Sequence, residues 1–128
     1  MEFENNALFW QKIDTLYLSS DLVIDRPKNS VHPMYTNLIY PVDYGYLKDL
    51  HGTNPDHISV YRGTLDATNV SSLVVCADIL KRDIEVKLLV GCNDSEINSI
   101  LEFLNQTDFQ KAVIINRGKN IPVWAGNI

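Results

Sequence analysis

Asp83, Glu85 and Lys87 recur at every second position of "DIEVKLLV". In an extended strand that spacing places two carboxylates and one ammonium on a single face. A few carboxylates, with water and phosphate oxygens, hold a hard cation such as Mg²⁺, and a neighbouring lysine takes up remaining phosphate charge. The same alternation is more commonly the solvated side of an antiparallel sheet, so spacing alone favours that plainer reading. A second stretch, "HPMYTNLIYPVDYGYL" from His32 to Leu47, gathers four tyrosines, two prolines and one glycine. Proline donates no ladder hydrogen bond. The stretch therefore reads as irregular edge structure turning at Gly45, a shaped wall with something lying against it. Taken alone, Tyr35, Tyr40, Tyr44 and Tyr46 also suit an aromatic cluster of core and rim.

"YPVDYGYL", followed ten residues after Tyr44 by "NPDHISV", resembles the signature region of the family I soluble inorganic pyrophosphatases. There a Tyr-Pro-x-Asn-Tyr-Gly-Tyr run precedes an Asp-Gly-Asp-Pro-x-Asp metal loop. "VIDRPKNSVHPMY" is similar to the lead-in strand of that family and "DIEVKLL" to its Asp-x-Lys strand, so the likeness spans roughly residues 22–90. It implies a five-stranded barrel of the oligonucleotide-binding type, Mg²⁺ as cofactor and hydrolysis of pyrophosphate. It further implies that Tyr44 hydrogen-bonds phosphate, that Tyr40 starts the motif, and that Asp56 binds metal and helps activate the attacking water. Lys87 matches the phosphate-binding lysine and Glu85 the acid before it. Two registers stay open for the remaining acids: counting back from Glu85 reaches Leu80, whereas Asp78 and Asp83 reproduce the expected five-residue interval. Asn54 and Ser59 stand where the loop's first and third aspartates are expected, replacing ionised ligands by neutral ones. Asp25 stands in for the lead-in acid and His32 for a phosphate-binding arginine, with Arg26, Lys28 or Arg62 as compensating cations.

The likeness makes Mg²⁺-dependent hydrolysis of pyrophosphate or a related phosphoanhydride the favoured function. Asp56, Asp78, Asp83 and Glu85 are the metal candidates. Tyr40, Tyr44, Arg26, Lys28 and Lys87 are the substrate-binding ones, and Asp56, Tyr44 and Lys87 the catalytic set. The alternative is a non-catalytic relative binding a phosphate-bearing ligand or a protein partner, which the Asn54 and Ser59 pair favours.

Composition narrows the remaining classes. A formal charge of −5 lacks the basic footprint that displaces counterions from nucleic acid. A start "MEFENNALFW" without a basic region and long apolar run sets the expectation of a cytoplasmic protein, with no membrane partner. A small-molecule phosphate substrate is the expected partner, and a homo-oligomer is compatible with the chain. Cys76 and Cys92 read as reduced, partly buried thiols. His32, His51 and His57 show no ligand spacing with them, and "RGKN" from Arg117 to Asn120 reads as a solvated turn.

The elements that must position these groups follow from periodicity. Phe9, Ile13 and Leu16, with Trp10 and Tyr17 beside them, predict a helix over residues 6–17 capped by Asn5 or Asn6. "DLVIDR", "HISVYRG", "SSLVVCADIL", "DIEVKLLVG" and "AVIIN" predict strands, with Lys81 and Arg82 forming a tight hairpin. "NDSEINSILEFLN" predicts a second helix, opened by an Asn93/Glu96 capping box. The expectation is one α+β domain over residues 1–128. Its core is a small closed or partly open antiparallel β-barrel of the oligonucleotide-binding type, with an N-terminal helix and a helix in the C-terminal half.

Overall fold

The structure, a computed structural model, describes residues 6–48 and 57–117. In chain order the elements are α1 (Ala7–Leu18), β1 (Leu22–Arg26), β2 (Asp43–Leu47), β3 (Ile58–Arg62), β4 (Val70–Asp78), β5 (Asp83–Val90), α2 (Asp94–Leu104) and β6 (Gln110–Asn116). The strands form one partly open, mixed sheet in the order β1-β2-β3-β5-β4-β6. β3 and β5 run parallel; the other described pairs are antiparallel. This is an α+β fold of the oligonucleotide-binding barrel type.

Strand alternation divides the apolar residues into two cores. Val60, Leu73 and Leu88 pack with Trp10, Leu47 and Val90, whereas their sequence neighbours Tyr61, Val74 and Leu89 pack with Tyr40, Ile100 and Leu104. Successive side chains of a strand point to opposite faces, so α1 and α2 cover opposite faces of the sheet. Both cysteines are buried and free.

The helices start where their caps dictate. Asn6 accepts the amides of Leu8 and Phe9, and the Asn93/Glu96 capping box is complete at α2. The buried stripe of α1 is set differently from its apolar period: Trp10 and Asp14 are fully buried, while Phe9 and Leu16 are exposed. The reason is non-local. Asp14 receives Arg117, with Nη2 to Oδ2 at 2.6 Å, and also accepts the Val70 amide at 3.0 Å, which turns that side of the helix inward.

Two expected turns have another form. Gly45 lies inside β2 rather than at a turn; a Cβ at this position would collide with the Val23 carbonyl of β1, so glycine is what lets these strands approach. The β4–β5 hairpin turns over four residues, 79–82, with Arg82 in the left-handed region at φ 60°. Asp78 shapes that turn by accepting the amides of Leu80 and Lys81, both at 2.9 Å.

Candidate functional site

Of the two alternating faces of β5, the polar one is turned inward. Lys87 is 6% exposed, whereas Ile84 and Val86 are 59% and 40% exposed. Lys87 shares its face with Leu89 of the α2-side core, and Glu85 and Asp83 continue that row towards the hairpin. Tyr44 of β2 reaches the same region from the neighbouring side, packing at a tilt against Tyr61 with ring centroids 4.8 Å apart. These strands build one wall of a cavity of about 260 Å³.

Two cation–tyrosine pairs define its polar end. Lys87 Nζ donates to Tyr44 Oη at 2.7 Å and lies 3.2 Å from a Glu85 carboxylate oxygen. Arg26 Nη1 donates to Tyr40 Oη at 2.5 Å, and its guanidinium lies over the Tyr40 and Tyr44 rings at 5.6 and 5.7 Å. A bulge in β1 between Ile24 and Arg26 brings Arg26 level with Tyr44; bulges of this kind re-aim a side chain. Lys81, from the hairpin turn, is the third cation lining the cavity, against the single carboxylate of Asp78.

The electrostatics follow from this crowding. Burial acts to raise the Glu85 carboxyl, but Lys87 and Lys81 outweigh it and hold the group below its ordinary range. Burial acts to lower Lys87; Tyr44 and Glu85 more than reverse it and keep the ammonium charged. Asp83 is raised, by burial and by the adjacent Glu85. Cys76, on the same face of β4, is pushed up by burial to about 11, which leaves it a thiol at neutral pH. His32 is lowered, by burial and then by Arg26, Lys81 and Lys87. Its Nδ1 accepts the amides of Met34 and Tyr35 at 3.1 and 3.3 Å, so the neutral ring carries its proton on Nε2.

The structure brings Arg26, Tyr40, Tyr44 and Lys87 to one cavity, with Asp78 and His32 in its lining. It separates others. Lys28 is exposed, and its backbone amide, not its ammonium, is engaged, by Asp43. Arg62 is spent on the carbonyls of Gly63, Leu65 and Val90. Asp83 lies with Asp78 along a shallow groove at the hairpin. Ser59 is buried opposite Lys87 in the β3–β5 register. Asp56 and Asn54 lie outside the described residues. Tyr35, from the tyrosine-rich stretch read as a wall, lines the cavity, and so do Phe103 and Phe109, which the sequence does not single out for it; Phe109 stands in the short α2–β6 connection, where one aromatic carries no spacing signal.

Among the described residues no group of three or more His, Cys, Asp or Glu side chains is placed to hold a metal ion. Glu85 is engaged by Lys87, and Asp78 Oδ1 by two turn amides. On their own the described carboxylates therefore do not assemble a site for Mg²⁺, which takes near-octahedral oxygen ligation. No described helix is long and apolar enough to cross a membrane.

No protein-family model matches the chain, and no curated protein matches it in sequence. Solved structures do match its backbone. An inorganic phosphatase of Anaplasma phagocytophilum aligns with a TM-score of 0.52 at 11% identity, over 74% of this chain and 81% of that one. An inorganic pyrophosphatase of Helicobacter pylori aligns with a TM-score of 0.52 at 11% identity, over 77% and 83%. What this chain shares with them is a pyrophosphatase-like fold.

Proposed function

We propose that the cavity binds a small phosphorylated anion through Arg26, Lys87, Tyr40 and Tyr44. The observation that carries this reading is the pair of cation–tyrosine contacts at one end of the cavity. Each phenol oxygen accepts from a cation and so keeps its own proton to donate. Two phenolic O–H groups backed by a guanidinium and an ammonium suit a phosphate group, which carries about −1.5 to −2 charge at neutral pH. Arg26 supplies the planar, multiply donating element and Lys87 the point charge. Calorimetric titration with pyrophosphate and with phenyl phosphate, without divalent cation, tests this. At least one should bind saturably at one site, and Arg26→Gln should weaken binding by about tenfold or more, as for a lost charge-assisted contact of roughly 1.4 kcal/mol. No binding of either compound at millimolar concentration would overturn the reading.

The fold shared with pyrophosphatases favours a second reading, Mg²⁺-dependent hydrolysis of pyrophosphate or a related phosphoanhydride. When bound, the metal would supply an activated water and charge neutralisation. In this reading Asp56 is metal ligand and water activator, Asp83 and Glu85, with Asp78, are further acidic ligands, and Lys87 and Tyr44 hold phosphate. Because Glu85 and Asp78 are already engaged, it depends on Asp56. Phosphate release from pyrophosphate that requires Mg²⁺ and disappears in Asp56→Asn would establish it; release that is absent with the ion present would leave binding alone.

A further inference from the structure

The cavity has two unlike ends, and an inorganic anion would use only one. Beyond the cations, rings adjoin in an unbroken row. Phe109 and Tyr35 have centroids 5.3 Å apart, Tyr35 and His32 5.2 Å, His32 and Tyr40 6.0 Å, and Tyr40 and Tyr44 5.3 Å. The row crosses from the segment before β2 to the α2–β6 connection, so distant parts of the chain supply it. Met34 and Leu80, which also line the cavity, are 74% and 63% exposed. Apolar side chains bordering a cavity gain when a ligand removes them from water. A diphosphate, all oxygen at its surface, gains nothing from those rings.

We infer that the ligand is a phosphate monoester whose organic part is one flat ring, its phosphate among Arg26, Tyr40, Tyr44 and Lys87 and its ring against Tyr35 and Phe109. This inference rests on the phosphate-binding reading above and names the class of compound that site takes. Size supports one ring. A cavity of about 260 Å³ is near the lower end of small-molecule sites, roughly 300 Å³, which suits a phosphate with a single ring system. Aromatic faces also reward a flat partner by offset or edge packing beyond the area it buries. His32, parallel to Tyr40 within 6° and anchored at Nδ1 by two amides, adds one N–H donor at Nε2 beside the rings. A ring bearing a heteroatom acceptor has a partner there.

Three titrations of the whole chain decide the matter, using phenyl phosphate, methyl phosphate and pyrophosphate. Phenyl phosphate should bind about tenfold more tightly than methyl phosphate. Phe109→Ala should bring the two within about threefold, chiefly by weakening phenyl phosphate. Tyr35→Leu, which keeps an apolar side chain and removes only the ring, should shift the ratio in the same direction and serves if Phe109→Ala does not fold. Equal binding of phenyl and methyl phosphate by the parent chain, or a preference that survives both substitutions, overturns the inference and leaves phosphate binding standing. Failure of all three compounds to bind overturns the phosphate-binding reading itself, and the inference with it.

Discussion

Lys87 is buried with two partners of different kinds, a phenol and a carboxylate. Removing its charge while keeping its length, as in Lys87→Met, leaves Glu85 without its main counter-charge, and the Glu85 side chain is only 18% exposed. The expected cost is about 2 kcal/mol, below that of a fully buried broken pair because water still reaches the acid; urea unfolding measures it. The pair also makes stability depend on pH. Glu85 titrates below its ordinary value in the fold, so the stability it contributes is fully present above the unfolded carboxyl's value of about 4.3 and is lost as the pH falls through the lower folded value. Asp83, raised by burial and by Glu85, acts with the opposite sign: its contribution is present at low pH and is lost as the pH rises. In Glu85→Gln, the urea midpoint should change less between about pH 3 and 5 than in the parent chain. An unchanged acid slope would show that the Glu85–Lys87 contact is not maintained in solution.

Where β1 crosses β2, the limiting contact is between main chains. At Gly45 a Cβ would meet the carbonyl of Val23, and backbone cannot swing aside as a side chain can. Gly45→Ala should therefore cost about 3 kcal/mol, at the upper end for overpacking, and should weaken ligand binding too, because the same crossing sets Arg26 level with Tyr44. A thermal unfolding midpoint within 2 °C of the parent, roughly 0.5 kcal/mol or less for a domain of this size, would refute it. The difference between what was legible in the sequence and what was not lies at this level. α2 is legible because its cap, charge and apolar stripe are all local. β5 is legible as a strand from its period of two, but the inward turn of its polar face depends on the cavity built by β2 and the α2–β6 connection. Gly45 reads as a turn because a close main-chain approach leaves the same residue type as a turn does. Tyr40, Tyr44 and Lys87 can be read together from the pyrophosphatase-like motif, whereas Arg26 is one of three candidate cations that the sequence does not separate. The ring row ending at Phe109 cannot be read from it, since the pair that closes it, Tyr35 and Phe109, joins segments far apart in the chain.

Across the whole molecule, one buried contact joins the first helix to the far end of the described chain, on the α1 side of the sheet. Asp14 of α1 holds Arg117, just beyond β6, through both carboxylate oxygens, and the guanidinium lies 5.3 Å from the centre of the Trp10 ring. Asp14→Ala strands that guanidinium and frees the Val70 amide from its acceptor. The expected cost is about 3–5 kcal/mol, as for other buried pairs broken on one side, measured as a fall in the urea midpoint at unchanged slope. A loss below 1 kcal/mol would mean that water or another side chain takes over the role. The same contact sets an order in time during synthesis. Asp14 is made first, and its partner follows 103 residues later; at ~5–20 residues per second that interval is on the order of 5–20 s. Until Arg117 emerges, docking α1 takes the Asp14 carboxylate inside without its counter-charge, at a cost of several kcal/mol. The apolar surface of Leu73, Leu88 and Val90 therefore waits in the nascent chain for a helix that was translated before any of them.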